Sequence, residues 1–287
     1  MRLKCVFAVS VWFLLGGLLP SNAWSQLREG EWALASFNVR YDNPSDPLPW
    51  SQRRDQVASV VGFYGMIGLQ EVLPHQLQDL HERLPWMRSI GTGREADGSG
   101  ESCPIFYDPS TWELLHHETL WLSPQWRQPG SVGWSADLPR IVTMGWFEHH
   151  TSGQTLRVYN THWSHVSPEA RQASAQLIAL LDAPSQADAT ALLGDFNEES
   201  EEAARALLVE AGFLDTYDVV KARCRKSYPT YTTFLPEGSA GGPRIDAVYV
   251  KGLNVHWTCV DEVILNEYFI SDHLPVHAVV SWKGLDE

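Results

Sequence analysis

A short apolar run over residues 189–193 leads into Gly194-Asp195-Phe196-Asn197-Glu198, so a stretch with strand character delivers a carboxylate and a carboxamide two residues apart. A buried strand of this kind places its polar residues at the carboxyl end, where open α/β sheets present groups to ligands. Oxygen donors at that spacing suit a hard divalent cation. Asp195 can anchor or polarise a nucleophile there, and Asn197 can hydrogen-bond a phosphoryl oxygen.

The same grammar recurs along the chain. Leu34-Ala35-Ser36-Phe37 ends in Asn38, Met66-Ile67-Gly68-Leu69 in Gln70-Glu71, and Val158-Tyr159 in Asn160-Thr161-His162; Arg244-Ile245-Asp246 and Ser271-Asp272-His273 follow near the end. Strand signals cover 32–39, 65–70, 103–107, 112–121, 141–149, 155–163, 189–194, 245–250, 255–264 and 275–282. Helical periodicity covers 51–63, 74–84, 168–181 and 199–211; proline opens the second and third, and acidic residues at the start of the fourth complement the helix dipole. Many strands with few helices predict two packed sheets covered by helices.

Residues 1–23 begin with Arg2 and Lys4, continue through an apolar stretch over 5–19 and finish with Ser21-Asn22-Ala23, the pattern of a cleavable secretory signal peptide. The stretch is shorter than the ~20 residues that span a bilayer. A periplasmic or secreted enzyme without a membrane span, its single catalytic domain over residues 24–287, is therefore expected. The formal charge of −14 becomes −16 once Arg2 and Lys4 are lost. Such acidity, without a basic stripe, disfavours tight binding of long nucleic acids, where Lys and Arg supply most of the affinity. Three cysteines remain, Cys103, Cys224 and Cys259, so at most one disulfide forms, with Cys224–Cys259 the preferred pair. Several of the thirteen tryptophans, Trp134 among them, stand in loops beside the motifs and are candidates to line a cleft.

In order and spacing these six segments, over roughly residues 32–282, resemble the endonuclease/exonuclease/phosphatase superfamily with its deoxyribonuclease I-like fold, and residues 40–54 resemble a secreted bacterial branch of it. The resemblance implies a four-layer α/β sandwich, two packed mixed or antiparallel sheets flanked by helices, with the site at one end. It implies a Mg²⁺-dependent phosphoric ester hydrolase, Mn²⁺ substituting, with Glu71 as first metal ligand and Asn38 and Asp272 assisting. His273, oriented by Asp246, takes the proton of an attacking water or stabilises the transition state. Asp195 and Asn197 position water and phosphate, and His162 contacts the phosphate or serves as a second acid. Arg140 precedes a strand and can direct its planar fork at phosphate. Relatives often carry an aspartate where Ser164 stands, so the sequence departs from the pattern there, and His165 reads equally well as a site residue or an ordinary surface histidine.

The expected substrate is a phosphodiester or phosphomonoester, small rather than a long nucleic acid, acted on by a monomer. Two other readings compete. A noncatalytic binding protein retaining the fold would bind metal without hydrolysing any ester. A glycosidase needs only two carboxylates and leaves His273, Asn197 and Asn38 without roles.

Overall fold

Alternation with period two decides which side of each sheet a residue covers. In β1 (Trp32–Asn38), Leu34 enters the cluster between the two sheets, while Ala33, Ala35 and Phe37 enter a second cluster against helices. The computed structural model describes residues 27–183, 186–220, 223–224, 229–236 and 242–284. The expected signal peptide, 1–23, lies outside the described residues.

One six-stranded sheet runs in the order β11 (Leu253–Val260), β14 (Val276–Trp282), β1, β2 (Met66–Gln70), β4 (Ile105–Tyr107) and β3 (Arg88–Ile90). The other runs β5 (Trp112–Trp121), β6 (Ile141–His149), β7 (Thr155–His162), β8 (Ala189–Asp195), β10 (Asp246–Lys251) and β9 (Leu214–Asp215). Each sheet holds one parallel pair, β1–β2 and β7–β8, and its other pairings are antiparallel. The parallel pairs are joined by crossovers through α1 (Trp50–Phe63) and α3 (Pro168–Asp182), as parallel neighbours require.

Leu34, Met66, Phe147, Val158, Leu193, Val248 and Trp282 fill the space between the sheets. Val57 and Val61 of α1 and Leu80 of α2 (Pro74–Arg83) cover the outer face of the first sheet. Ala175 and Ile178 of α3 and Leu208 of α4 (Ala203–Glu210) cover that of the second. The result is the four-layer α/β sandwich. Among the described residues no helix is long and apolar enough to cross a membrane.

The helices open where local chemistry dictates. Pro74 and Pro168 occupy the first turns of α2 and α3, and Ser167 Oγ accepts from Ala170 N at 3.1 Å. The helix expected over 199–211 begins four residues later, because Glu198 Oε1 accepts from Ala204 N at 3.2 Å and holds the preceding residues in a turn. No acidic residue therefore falls in its first turn. The strand expected over 255–264 stops at Val260, where Asp261 turns its carboxylate to Tyr64 and His277. Four short strands escape sequence detection: β3, β9, β12 (Ile264–Leu265) and β13 (Tyr268–Phe269), as does α5 (Thr216–Val219). Two or three residues carry no measurable period. Cys224 and Cys259 are disulfide-bonded with a Cα–Cα distance of 5.2 Å, and Cys103 is free and buried.

Candidate active site

Strand register assembles the centre. In the second sheet His162 pairs with Asp195 across the parallel β7–β8 ladder, and Asp195 with Asp246 across β8–β10, so three adjacent strands present these side chains together at one end. In the first sheet Asn38 pairs with Gln70, and Glu71 follows immediately. The turn leading into β14 carries Asp272 and His273. These ends border one open cleft of about 750 Å³, lined by Glu71, His162, Asp195, Asn197, Asp272 and His273. That volume lies within the usual range for small-molecule sites.

The polar contacts fix each group. Asn38 Nδ2 donates at 3.0 Å to both Glu71 Oε1 and Asp195 Oδ2, bridging the two sheets. Glu71 Oε2 accepts from Tyr41 N at 3.1 Å. His273 Nδ1 lies 2.8 Å from Asp246 Oδ2, and its Nε2 lies 3.7 Å from Asp195 Oδ2; His162 Nε2 approaches that same oxygen at 3.4 Å. Asn197 N donates to Asp195 Oδ1 at 3.0 Å and Asn197 Nδ2 to the Trp163 carbonyl at 3.0 Å. Arg40, Glu71 and Asn197 all adopt left-handed backbone conformations, with φ of 59°, 61° and 48°. Asparagine tolerates that region; for the other two it costs about 1–3 kcal/mol each, strain that clusters at functional sites.

Burial sets the electrostatics. Desolvation first, and the Asp246 carboxylate second, push the Asp195 carboxyl up to about 7. For His273 desolvation pulls downward, but Asp246 and Asp195 outweigh it and hold the imidazole well above its ordinary value. His162 is driven well below its ordinary value by burial and by the Arg140 guanidinium, so it is neutral near pH 7. Asp272 is raised by burial. Carboxylates thus outnumber the cations that face them, the condition a divalent ion relieves. The Glu71 and Asp272 carboxylates are hard oxygen donors of the kind a divalent cation takes, and Asn38, with Nδ2 on Glu71 and Oδ1 accepting from Arg40 N, orients the first of them. The ligand atoms of Asp195, Asp246 and His273 also lie within 4.8 Å of one another. A further group, Cys259, Asp261 and His277, has its sulfur engaged in the disulfide.

All nine residues expected at the site gather here: Asn38 and Asp246 are buried in its floor, and the other seven line it. Arg140 lines the wall, its Nη2 2.9 Å from His165 Nδ1, and His165 Nε2 reaches Asp137 at 3.7 Å. Arg40 pairs bidentately with Asp46 at 3.1 Å and reaches Asp272 at 3.5 Å. Trp134 does not line the cleft; it packs against the cluster beneath α3 and α4. Sequence reasoning missed Arg94, Glu101, Arg171, Glu198 and Tyr231, which also line the wall. The glycine-dense, charged stretch 91–101 was the available signal for the first two: at Gly93 a Cβ would stand 2.1 Å from the Ser99 carbonyl, so the loop folds tightly on itself. Tyr231 stacks edge-on against His273 with centroids 5.1 Å apart, a contact with no local sequence signal.

Comparison with known proteins agrees with this geometry. No curated protein matches the chain. Among solved structures, an endonuclease/exonuclease/phosphatase family protein from Bacteroides thetaiotaomicron is 29% identical with a TM-score of 0.82, the match covering 88% of this chain and 98% of the other. An endonuclease/exonuclease/phosphatase from Bacteroides vulgatus is 30% identical with a TM-score of 0.81, covering 88% and 99%. A mannosyl-6-phosphatase from Bacteroides thetaiotaomicron is 29% identical with a TM-score of 0.79, covering 88% and 100%. The profile of the endonuclease/exonuclease/phosphatase family matches residues 35–273, nearly the whole span from β1 to the turn that carries His273. With its two-sheet frame and its convergent strand ends, the chain belongs to the endonuclease/exonuclease/phosphatase family.

Proposed function

We propose that this chain is a divalent-metal-dependent phosphoesterase, using Mg²⁺ or in its place Mn²⁺, that hydrolyses a small phosphate ester by in-line attack of water. The observation that carries the reading is the meeting of Asp195, the His273–Asp246 pair and the Asn38–Glu71 pair in one cleft. Glu71 and Asp272 would hold the ion, with Asn38 assisting by orienting Glu71. Its chemistry there is Lewis-acid polarisation of a phosphoryl oxygen.

The protein groups supply the rest. Asp195, anchored by Asn38 and by Asn197 N, orients the water and receives its proton. His273, kept in place by Asp246, faces the phosphoryl oxygens with Nε2 and offsets their developing charge. Asn197 spends one side-chain N–H on the Trp163 carbonyl and keeps the other for phosphate. His162, a neutral hydrogen-bond donor, contacts the phosphate and supplies a proton to the oxygen that departs as the P–O ester bond breaks, and Arg140 adds a guanidinium N–H.

A phosphomonoester carried by a sugar or similar polyol is the favoured substrate. One relative of similar length is a mannosyl-6-phosphatase, and the rim bears Glu199 and Glu202, which repel a polyphosphate strand and accept hydrogen bonds from hydroxyls. Export, with removal of residues 1–23, completes the proposal and is supported by the leader-like sequence. A panel of sugar phosphates, nucleotides and chromogenic mono- and diesters, assayed with EDTA and after Mg²⁺ readdition, tests it. Expected is chelator-sensitive hydrolysis of small monoesters, abolished by orders of magnitude in Asp195→Ala and His273→Ala. Metal binding without hydrolysis of any ester, or near-normal turnover by either variant, rejects it.

A further inference from the structure

Arg53 is a cation with no solvent exposure and, among the described residues, no carboxylate within ion-pair distance. Its Nη1 donates to the Val39 and Ile270 carbonyls, the second at 3.3 Å, and its Nη2 to those of Arg40 and Tyr41 at 2.7 and 3.4 Å. The guanidinium lies over the Trp50 ring, 5.0 Å from the centroid, and its Nε has no acceptor. Holding a charge there with carbonyl dipoles and one aromatic face, and no carboxylate in ion-pair contact, is costly, and a packed apolar side chain would fill the space without that penalty. The geometry indicates what the charge secures.

The two segments that the fork joins lie far apart in the chain, Ile270 standing 217 positions beyond Arg53 itself, and each carries half of the site. In the first, Arg40 N donates to Asn38 Oδ1 at 2.9 Å and Tyr41 N to Glu71 Oε2 at 3.1 Å, with Arg40 in the strained left-handed region. In the second, Ile270 precedes Ser271, whose Oγ donates to the Asn38 carbonyl at 2.7 Å and accepts from His273 N at 3.3 Å. Asp272 and His273 follow directly. The backbone amides that aim Asn38 and Glu71, and the turn that aims Asp272 and His273, are therefore tied to one rigid plane of donors. Lysine has no such fork: its ammonium is a point charge on a flexible stem.

We propose that Arg53 is a positioning residue of the phosphoesterase centre, its planar fork fixing residues 39–41 against Ile270 so that the metal-side donors and the Asp272–His273 turn keep their mutual spacing. The inference rests on the function proposed above and extends it to a side chain that touches neither substrate nor ion. Burial lowers the Arg53 pKa to about 10, which leaves the group charged at neutral pH, consistent with that task.

The test uses Arg53→Lys and Arg53→Ala in the full chain, with three readouts: hydrogen exchange of the Tyr41 and His273 amides in chelator-treated protein, Mn²⁺ affinity, and kcat with KM. Expected for Arg53→Lys is a folded protein with faster exchange at both amides, Mn²⁺ binding weaker by about 10–100-fold as for lost outer-shell support, and kcat down by about 100-fold as for an ångström-scale misplacement. KM should move far less than kcat. Added guanidinium should partly restore Arg53→Ala and leave Arg53→Lys unchanged. A folded Arg53→Lys that matches the parent in exchange, Mn²⁺ affinity and kcat overturns the inference, even if its melting temperature falls. Should Arg53→Ala not fold, Arg53→Lys decides alone. Should the parent hydrolyse no ester, the exchange and Mn²⁺ readouts still decide the role of Arg53 while the phosphoesterase reading fails.

Discussion

Adding a single methyl group at Gly68 should destabilise the protein by about 3–5 kcal/mol. Gly68 sits in β2, paired with Ser36 and Ile105, and faces Asn160 of β7 across the gap between the sheets. A Cβ built there would stand 2.6 Å from both Asn160 Cγ and Oδ1 and 3.1 Å from its Cβ. Asn160 cannot retreat without loss: its Nδ2 donates to the Leu69 and Pro104 carbonyls at 2.7 and 2.9 Å, and its Oδ1 accepts from Gln70 Nε2 at 2.6 Å. All of these groups are fully buried or belong to buried backbone. Overpacking costs about 1–3 kcal/mol, and each buried polar group left without its partner a further 1–3 kcal/mol or so. Removing a strand glycine returns about 0.5–1 kcal/mol. A chain of this size loses about 2–4 °C per kcal/mol, so calorimetry should show the Tm of Gly68→Ala lower by about 6–20 °C, and urea unfolding should show a lower midpoint with an unchanged slope. In a double-mutant cycle with Asn160→Ala the pair should cost clearly less than the sum, because the second change removes the collision. A Gly68→Ala protein within about 1 kcal/mol of the parent, or strictly additive costs, would show that Asn160 does not oppose the added methyl group.

Two further outcomes follow from the buried networks. Asp246→Asn should leave the fold intact but lower kcat by about 10²–10⁴-fold, since the amide cannot supply the charge that holds His273 Nδ1 at 2.8 Å and can select the wrong tautomer; single-turnover hydrolysis checks it, and a loss under tenfold would show the pair to be dispensable. Tyr64, hydrogen-bonded to Asp261, is raised well above its ordinary pKa first by burial and then by that carboxylate. Below about pH 10 its phenol is protonated in both folded and unfolded chains and contributes no pH dependence; above it only the unfolded chain releases the proton, so stability falls as pH rises, by about 1.4 kcal/mol per pH unit for this group. Tyr159 and Tyr249, pushed up to about 12, add to the slope. Denaturant titrations from pH 9 to 12 should therefore give a shallower decline for Tyr64→Phe, and parallel curves would exclude the assignment.

Residue order was enough to locate the elements long enough to show a period and the chemistry at their ends. Prolines and periodicity located α2 and α3, alternation located the longer strands, and the residues at or just past the carboxyl ends of β1, β2, β7 and β8 named Asn38, Glu71, His162, Asp195 and Asn197. It could not show that Glu198 delays α4, that Trp134 serves the core, or that Arg53 ties two distant loops, because each depends on a partner remote in the chain or on an unpaired amide. Packing in three dimensions was needed to bring Asn38 between Glu71 and Asp195 at 3.0 Å and His273 onto Asp246. The reason is geometric: local pattern fixes which face and which end of a strand a side chain occupies, whereas the packing of one sheet on the other, through contacts such as Gly68 against Asn160, sets how closely the two sets of strand ends converge.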